Sequence, residues 1–200
     1  DCFSVAHTDA WLPADADSTP ILTRNILYVK LTTGTDTLHI VLCHLPSRRG
    51  GVLAAGDLRE RMVTLTGAGI DSIMSTSGGR AAVIVMGDFN TGPGEPLMAE
   101  FTRKAGLVNL SAEAAGQGRG SYRYQGTWEM IDQVLVSASM TDSTTVFYAV
   151  PGSFRVVDAP FLLTVDETYP GRKPYPTYGG YRYSGGYSDH LPVTFKVTWQ

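Results

Sequence analysis

Val83-Ile84-Val85-Met86-Gly87-Asp88-Phe89-Asn90 is an apolar run that breaks off on a glycine, an acid and an amide. A buried strand ending this way presents Asp88 and Asn90 at one rim of a sheet, a common means of holding a water and a metal-bound phosphate. Two other apolar runs also meet polar groups: Cys43-His44-Leu45-Pro46 closes one, and Ser188-Asp189-His190 opens Leu191-Pro192-Val193. Three strand ends thus offer a histidine, an acid with an amide, and an acid with a histidine.

Phosphate-ester hydrolysis needs a hard cation to neutralise developing charge, an activated water in line with the leaving group, and donors on the phosphoryl oxygens. Magnesium or manganese is held by one or two carboxylates plus waters, so Asp189 with another acid would suffice. His190 can supply a proton or a hydrogen bond to phosphate if a second carboxylate fixes its tautomer, and Asp132 at the start of Ile131-Asp132-Gln133-Val134 is the candidate. Arg48 and Arg49, just beyond His44, can bind phosphate bidentately or form a solvated loop pair. Each piece has an ordinary reading: a Gly-Asp-x-Asn is more often a turn bonding its own backbone, and a lone edge histidine is usually structural. The chemistry rests on their joint occurrence.

The surrounding pattern supplies elements to carry these groups. Asn25 to Leu31 and Thr37 to Leu45 read as a hairpin around Thr-Gly-Thr-Asp. In Ile40, Leu42, His44 the imidazole alternates onto the side of two aliphatic residues. Leu58, Met62, Leu65 and Ile73 recur at helical intervals between Asp57 and Ser75, with Gly69 a weak point. Val83 to Met86 is apolar on both faces, as a central strand would be. A second helix is predicted from Glu95 to Ala105, with Pro96 in its first turn and Gly106 as its stop. Ile131–Val136, Thr145–Val150 and Leu191–Trp199 carry strand composition. The order predicts a mixed-sheet α/β or α+β sandwich.

Six of the ten tyrosines fall between Thr168 and Tyr187 among glycines and prolines. That stretch reads as a long loop, expected to pack over the site that Asp189 and His190 enter.

The chain has 200 residues, 43% of them hydrophobic and 18% charged, with a net charge of -3. This composition fits one globular domain over 1–200 and excludes bulk electrostatic attraction to polyanions. Cys2 and Cys43 match no zinc spacing and make no disulfide framework. No apolar run approaches the roughly 20 residues that cross a bilayer. The start at Asp1 reads as a chain processed, trimmed or partly expressed.

Taken in order, His44 in CHLPSRRGG, Asp88 and Asn90 in VMGDFN, Asp132 in MIDQVLVS and Asp189-His190 in YSDHLPV resemble the endonuclease/exonuclease/phosphatase superfamily, from about Arg24 to the C-terminus. The resemblance implies a four-layer sandwich of two mixed β-sheets flanked by helices, with the active site at one edge. It implies that Asp88 activates or orients the attacking water and that Asn90 positions it. Asp189 would help hold Mg2+ or Mn2+, and His190, oriented by Asp132, would contact phosphate or act as base. His44 would stabilise the transition state or the leaving oxygen. The substrate would be a phosphate mono- or diester: nucleic acid, a phospholipid head group or a small phosphoester.

The family pattern opens with a strand bearing Asn and then a metal-binding Glu, whereas no Glu precedes Glu60 here. The expectation is therefore a C-terminal portion lacking its N-terminal strands, completed by a missing segment or partner chain. Alone, it would bind metal poorly and hydrolyse little. The alternative is a non-catalytic binding module on the same fold, using residues 168–187 as its recognition surface.

Overall fold

The computed structural model describes residues 4–12, 23–48 and 52–200, with the backbone alone for 52–54. Six strands form one mixed sheet: β1 (Ser4–Trp11), β2 (Ile26–Thr33), β3 (Asp36–His44), β4 (Ala82–Asp88), β5 (Leu107–Asn109) and, entering after two short strands, β8 (Asp132–Ser137). Their order across the sheet is β1-β2-β3-β4-β8-β5, with β3 and β4 parallel and the other neighbours antiparallel. The predicted hairpin is β2-β3, and the predicted central strand β4 lies between β3 and β8.

Alternation divides the sheet into two faces. Val41, Cys43, Val83, Val85 and Leu135 point to one side, where they pack beneath α1 (Val52–Thr76) and α2 (Pro96–Lys104) with Met62, Ile70 and Phe101. Leu38, Ile84, Val134 and Val136 point to the other, against Met140, Phe147, Phe154, Val156 and Leu191. A short helix, α3 (Ala112–Gly116), and small antiparallel strand pairs accompany this second face. The pairs are β6 (Tyr122–Tyr124) with β7 (Thr127–Glu129), and β9 (Phe147–Ala149) with β16 (Val197–Trp199). β10 (Arg155–Val156) joins β15 (Val193–Thr194), β11 (Leu163–Val165) joins β12 (Arg172–Pro174), and β13 (Tyr178–Gly179) joins β14 (Arg182–Tyr183). A large mixed sheet between helices and a second β layer is the predicted α/β class, and the sandwich description is compatible with it.

The first helix starts a turn earlier than predicted, because Ala55 extends its buried face. Gly69, a poor helix former, is explained by its neighbour: a Cβ there would lie 2.3 Å from the Trp11 ring. Trp11 in turn stacks on Tyr28 at 5.3 Å, so its ring is held between α1 and β2. Two expectations are corrected. Leu191–Trp199 is not one strand, because the chain changes partner between β15 and β16, where Lys196 N donates to Ser153 Oγ at 3.0 Å and its carbonyl accepts from Val150 N. The stretch 168–187 is not one long loop, since β12, β13 and β14 lie in it. Arg123 fastens its start, donating to the carbonyls of Pro170 and Arg172 at 2.6 Å each.

Cys43 is buried in the helix-side core, and burial pushes its thiol up to about 12. Relative to the ordinary 9.0 this lowers the thiolate fraction about a thousandfold, and only the thiolate attacks a disulfide reagent. A Cys2→Ser variant should therefore leave Ellman's reagent unreacted until denaturant is added. Prompt labelling in buffer would mean that the core opens around Cys43.

Candidate active site

Register assembles the site. His44 is the parallel partner of Asp88, and Asp88 is the antiparallel partner of Asp132, so three polar residues occupy one rung across β3, β4 and β8. By alternation all three share the face that carries Ile84 and Val134, at the end where the apolar strands stop. His44 Nε2 lies 3.4 Å from Asp88 Oδ2, with side-chain exposures of 48% and 14%.

Gly87 makes the turn into Asp88 possible. Its φ is 137°, and a Cβ there would meet the Cys43 carbonyl oxygen at 1.9 Å, so only glycine fits. Asn90 also has positive φ, 49°, which asparagine tolerates better than most residues. In that conformation its backbone N–H donates to Asp88 Oδ1 at 2.8 Å and its Nδ2 to Asp88 Oδ2 at 3.0 Å. Nδ2 also donates to the Leu45 carbonyl at 2.9 Å, tying the ends of β3 and β4 together.

His190 arrives from the second layer through a β-bridge to Tyr122. Its Nδ1 lies 2.7 Å from Asp132 Oδ2, and the Tyr122 ring packs against it at 4.8 Å. Burial pulls the His190 imidazole down, but the bond to Asp132 and the charges of Asp132, Asp88 and Asp189 outweigh it and hold its pKa above 6.5. Burial also raises the Asp88 carboxyl above 3.8, and nearby Asp132 adds to the rise, while the Asn90 amide, His190 and His44 offset part of it. A cation beside Asp88 would relieve that cost.

Asp88, Asp132 and His190 each bring a ligand atom within 4.8 Å of the others. Two carboxylates of this group suit a hard divalent ion such as magnesium or manganese. Asp189 is exposed beside them and outside that three-residue group. Arg48 is tied to protein groups: Nε donates to the Asn90 carbonyl at 3.2 Å, one Nη pairs with Glu95 at 2.6 Å, and the other lies 3.8 Å from Glu129. Arg49 lies outside the described residues. Tyr178, Tyr181, Tyr183 and Tyr187 are exposed, and the rings of Tyr178 and Tyr183 meet edge-on across the β13-β14 hairpin at 5.6 Å.

Sequence reading gave no site role to Ser121, Tyr122, Glu95 or Glu129, all of which touch these groups. They sit in turns or short strands with no periodic signal, and only the tertiary fold gives them partners.

The architecture recurs in solved proteins. An endonuclease/exonuclease/phosphatase family protein from Bacteroides thetaiotaomicron superimposes with a TM-score of 0.60 at 14% identity, over 99% of this chain and 66% of that one. A mannosyl-6-phosphatase from Bacteroides thetaiotaomicron VPI-5482 gives 0.58 at 16% identity, over 98% and 67%. TDP2 from D. rerio, complexed with a single-strand DNA product, gives 0.57 at 14% identity, over 98% and 68%. The chain thus spans about two thirds of the length of these proteins, and identities this low speak for the fold alone. A search of curated proteins found no match. The sequence profile of the Endonuclease/Exonuclease/phosphatase family, however, runs over residues 1–199, so the expected restriction to a C-terminal portion is not borne out. With His44, Asp88 and Asp132 on one rung and a profile matched along its length, the chain belongs to the Endonuclease/Exonuclease/phosphatase family.

Proposed function

We propose that this protein is a divalent-metal-dependent phosphoesterase that hydrolyses a phosphate mono- or diester by in-line attack of water. The observation that carries this reading is the convergence of His44, Asp88, Asn90, Asp132 and His190 at one rim of the sheet. Asp88, held by both donors of Asn90, orients the water. His190, fixed by Asp132, contacts the phosphoryl oxygen or takes the proton, and exposed His44 faces the leaving oxygen. Asp189 with Asp88 would hold magnesium or manganese, since Asp132 Oδ2 already accepts bonds from Ser121 and His190. When bound, the ion neutralises charge on the phosphoryl group. A phosphosugar or single-stranded DNA fits what the similar solved proteins act on or bind.

The test is hydrolysis of bis-p-nitrophenyl phosphate and p-nitrophenyl phosphate with added magnesium or manganese. Turnover that EDTA stops and that Asp88→Ala or His190→Ala abolishes is expected. An intact, metal-supplied protein that hydrolyses neither would favour the second reading, a non-catalytic binding module. The exposed tyrosines of the β13-β14 hairpin, with Tyr187 three residues before His190, favour a recognition surface there.

Arg48 is proposed to bind substrate. It is also fixed to Glu95, so Arg48→Ala should raise the Michaelis constant while shifting the Asn90 carbonyl it supports. Unchanged kinetics would confine Arg48 to bracing the loop.

A further inference from the structure

Asp132 and His190 stand 58 residues apart and come from different layers: Asp132 opens a strand of the large sheet, while His190 lies in the chain leading to β15. A pair so assembled is only as well aligned as the contacts that join the layers. One residue contacts both sides. The Ser121 hydroxyl donates to Asp132 Oδ2 at 2.6 Å, the same oxygen that His190 Nδ1 meets at 2.7 Å. The Asp132 backbone N–H donates back to Ser121 Oγ at 3.2 Å. The Ser121 carbonyl then accepts from Leu191 N at 2.7 Å, and the next residue, Tyr122, forms the β-bridge to His190. The serine side chain therefore holds the acid, and its backbone holds the strand of the histidine.

Ser121 is 0% exposed, so its hydroxyl has no water to exchange with. Gly120 lets it in: a Cβ at 120 would lie 2.5 Å from the Glu129 backbone nitrogen. A buried hydroxyl donor on Oδ2 restricts rotation of the carboxylate and leaves that oxygen aimed at the imidazole.

We propose that Ser121 is the positioning residue that aligns Asp132 on His190. The kinetic part of the test rests on the phosphoesterase reading; the spectroscopic part does not. Ser121→Ala should lower kcat about 10- to 100-fold with little change in KM, as loss of a supporting partner commonly does. In EDTA-treated protein the His190 Nδ1–H proton resonance should move or broaden relative to wild type, assigned by its loss in His190→Gln. Ser121→Thr, which keeps the hydroxyl, should restore both. If the alanine variant does not fold, Ser121→Cys fills the same space with a weak donor and should behave as alanine was expected to. A His190 resonance that is unaltered in the alanine or cysteine variant overturns the proposal, whatever the activity. Wild-type protein without turnover would refute the phosphoesterase reading and leave the resonance test standing.

Discussion

Asp132→Asn is expected to lower phosphodiester turnover by about 10²–10⁴-fold, the range over which a positioned proton-transfer group contributes. The amide has nearly the shape of the acid, so the fold should persist. What it loses is charge beside His190 and an unambiguous acceptor for Nδ1. The same change should lower the His190 pKa, because the bond to Asp132 and the Asp132 charge are the main contributions raising it against burial. An NMR titration of His190 reads this directly, and wild type should titrate at the higher pH. Since the folded value lies above 6.5, the interaction stabilises the fold below that pH and is lost as pH rises through the folded value. Asp132→Asn should erase most of that dependence. Equal turnover and an unmoved His190 midpoint would mean that Asp132 does not govern the imidazole.

Gly87→Ala should destabilise the protein by about 2–6 kcal/mol, combining backbone strain at positive φ with overpacking. The added methyl would meet a backbone oxygen, Cys43 O, at 1.9 Å, and a β3 backbone held on both sides by the ladder cannot yield as a side chain would. Against a typical domain stability of about 5–15 kcal/mol, this is a large fraction. Gly34→Ala is the control: it too has positive φ, 57°, but a Cβ there meets nothing within 4 Å. It should cost about 1 kcal/mol, the conformational part alone. Urea melts of the two variants separate the contributions. A Gly87 variant as stable as the Gly34 variant would show that β4 can shift away from β3, and with it Asp88.

The strand ends were legible because an apolar run that stops or starts on a polar residue is a local signal: β3 and β4 close on His44 and Asp88, and β8 opens on Asp132. The rung that joins His44, Asp88 and Asp132 was not, since pairing register depends on which strands meet. β1 gave no alternation to read: all its residues except Trp11 are exposed. Ser121 was equally silent, a small residue between a glycine and a tyrosine whose partners lie 11 residues onward in Asp132 and, through Leu191, in the opposite layer. The tyrosine-rich stretch was legible as compositionally distinct but not as the carrier of β12, β13 and β14, because composition reports what a segment contains and not where its chain pairs.

The alignment of His44, Asp88 and Asp132 on one rung has a consequence for how such a chain can change length. Strand residues alternate sides, so adding or deleting a single residue between Ala82 and Asp88 would swing the acid across to the helix-covered side, among Val41 and Val85. The same edit in the tight turn at Gly34 would be absorbed outside the sheet. Lineages of this protein should therefore accept indels in their connections and refuse odd-numbered ones within β3, β4 and β8, where spacing is itself part of the chemistry.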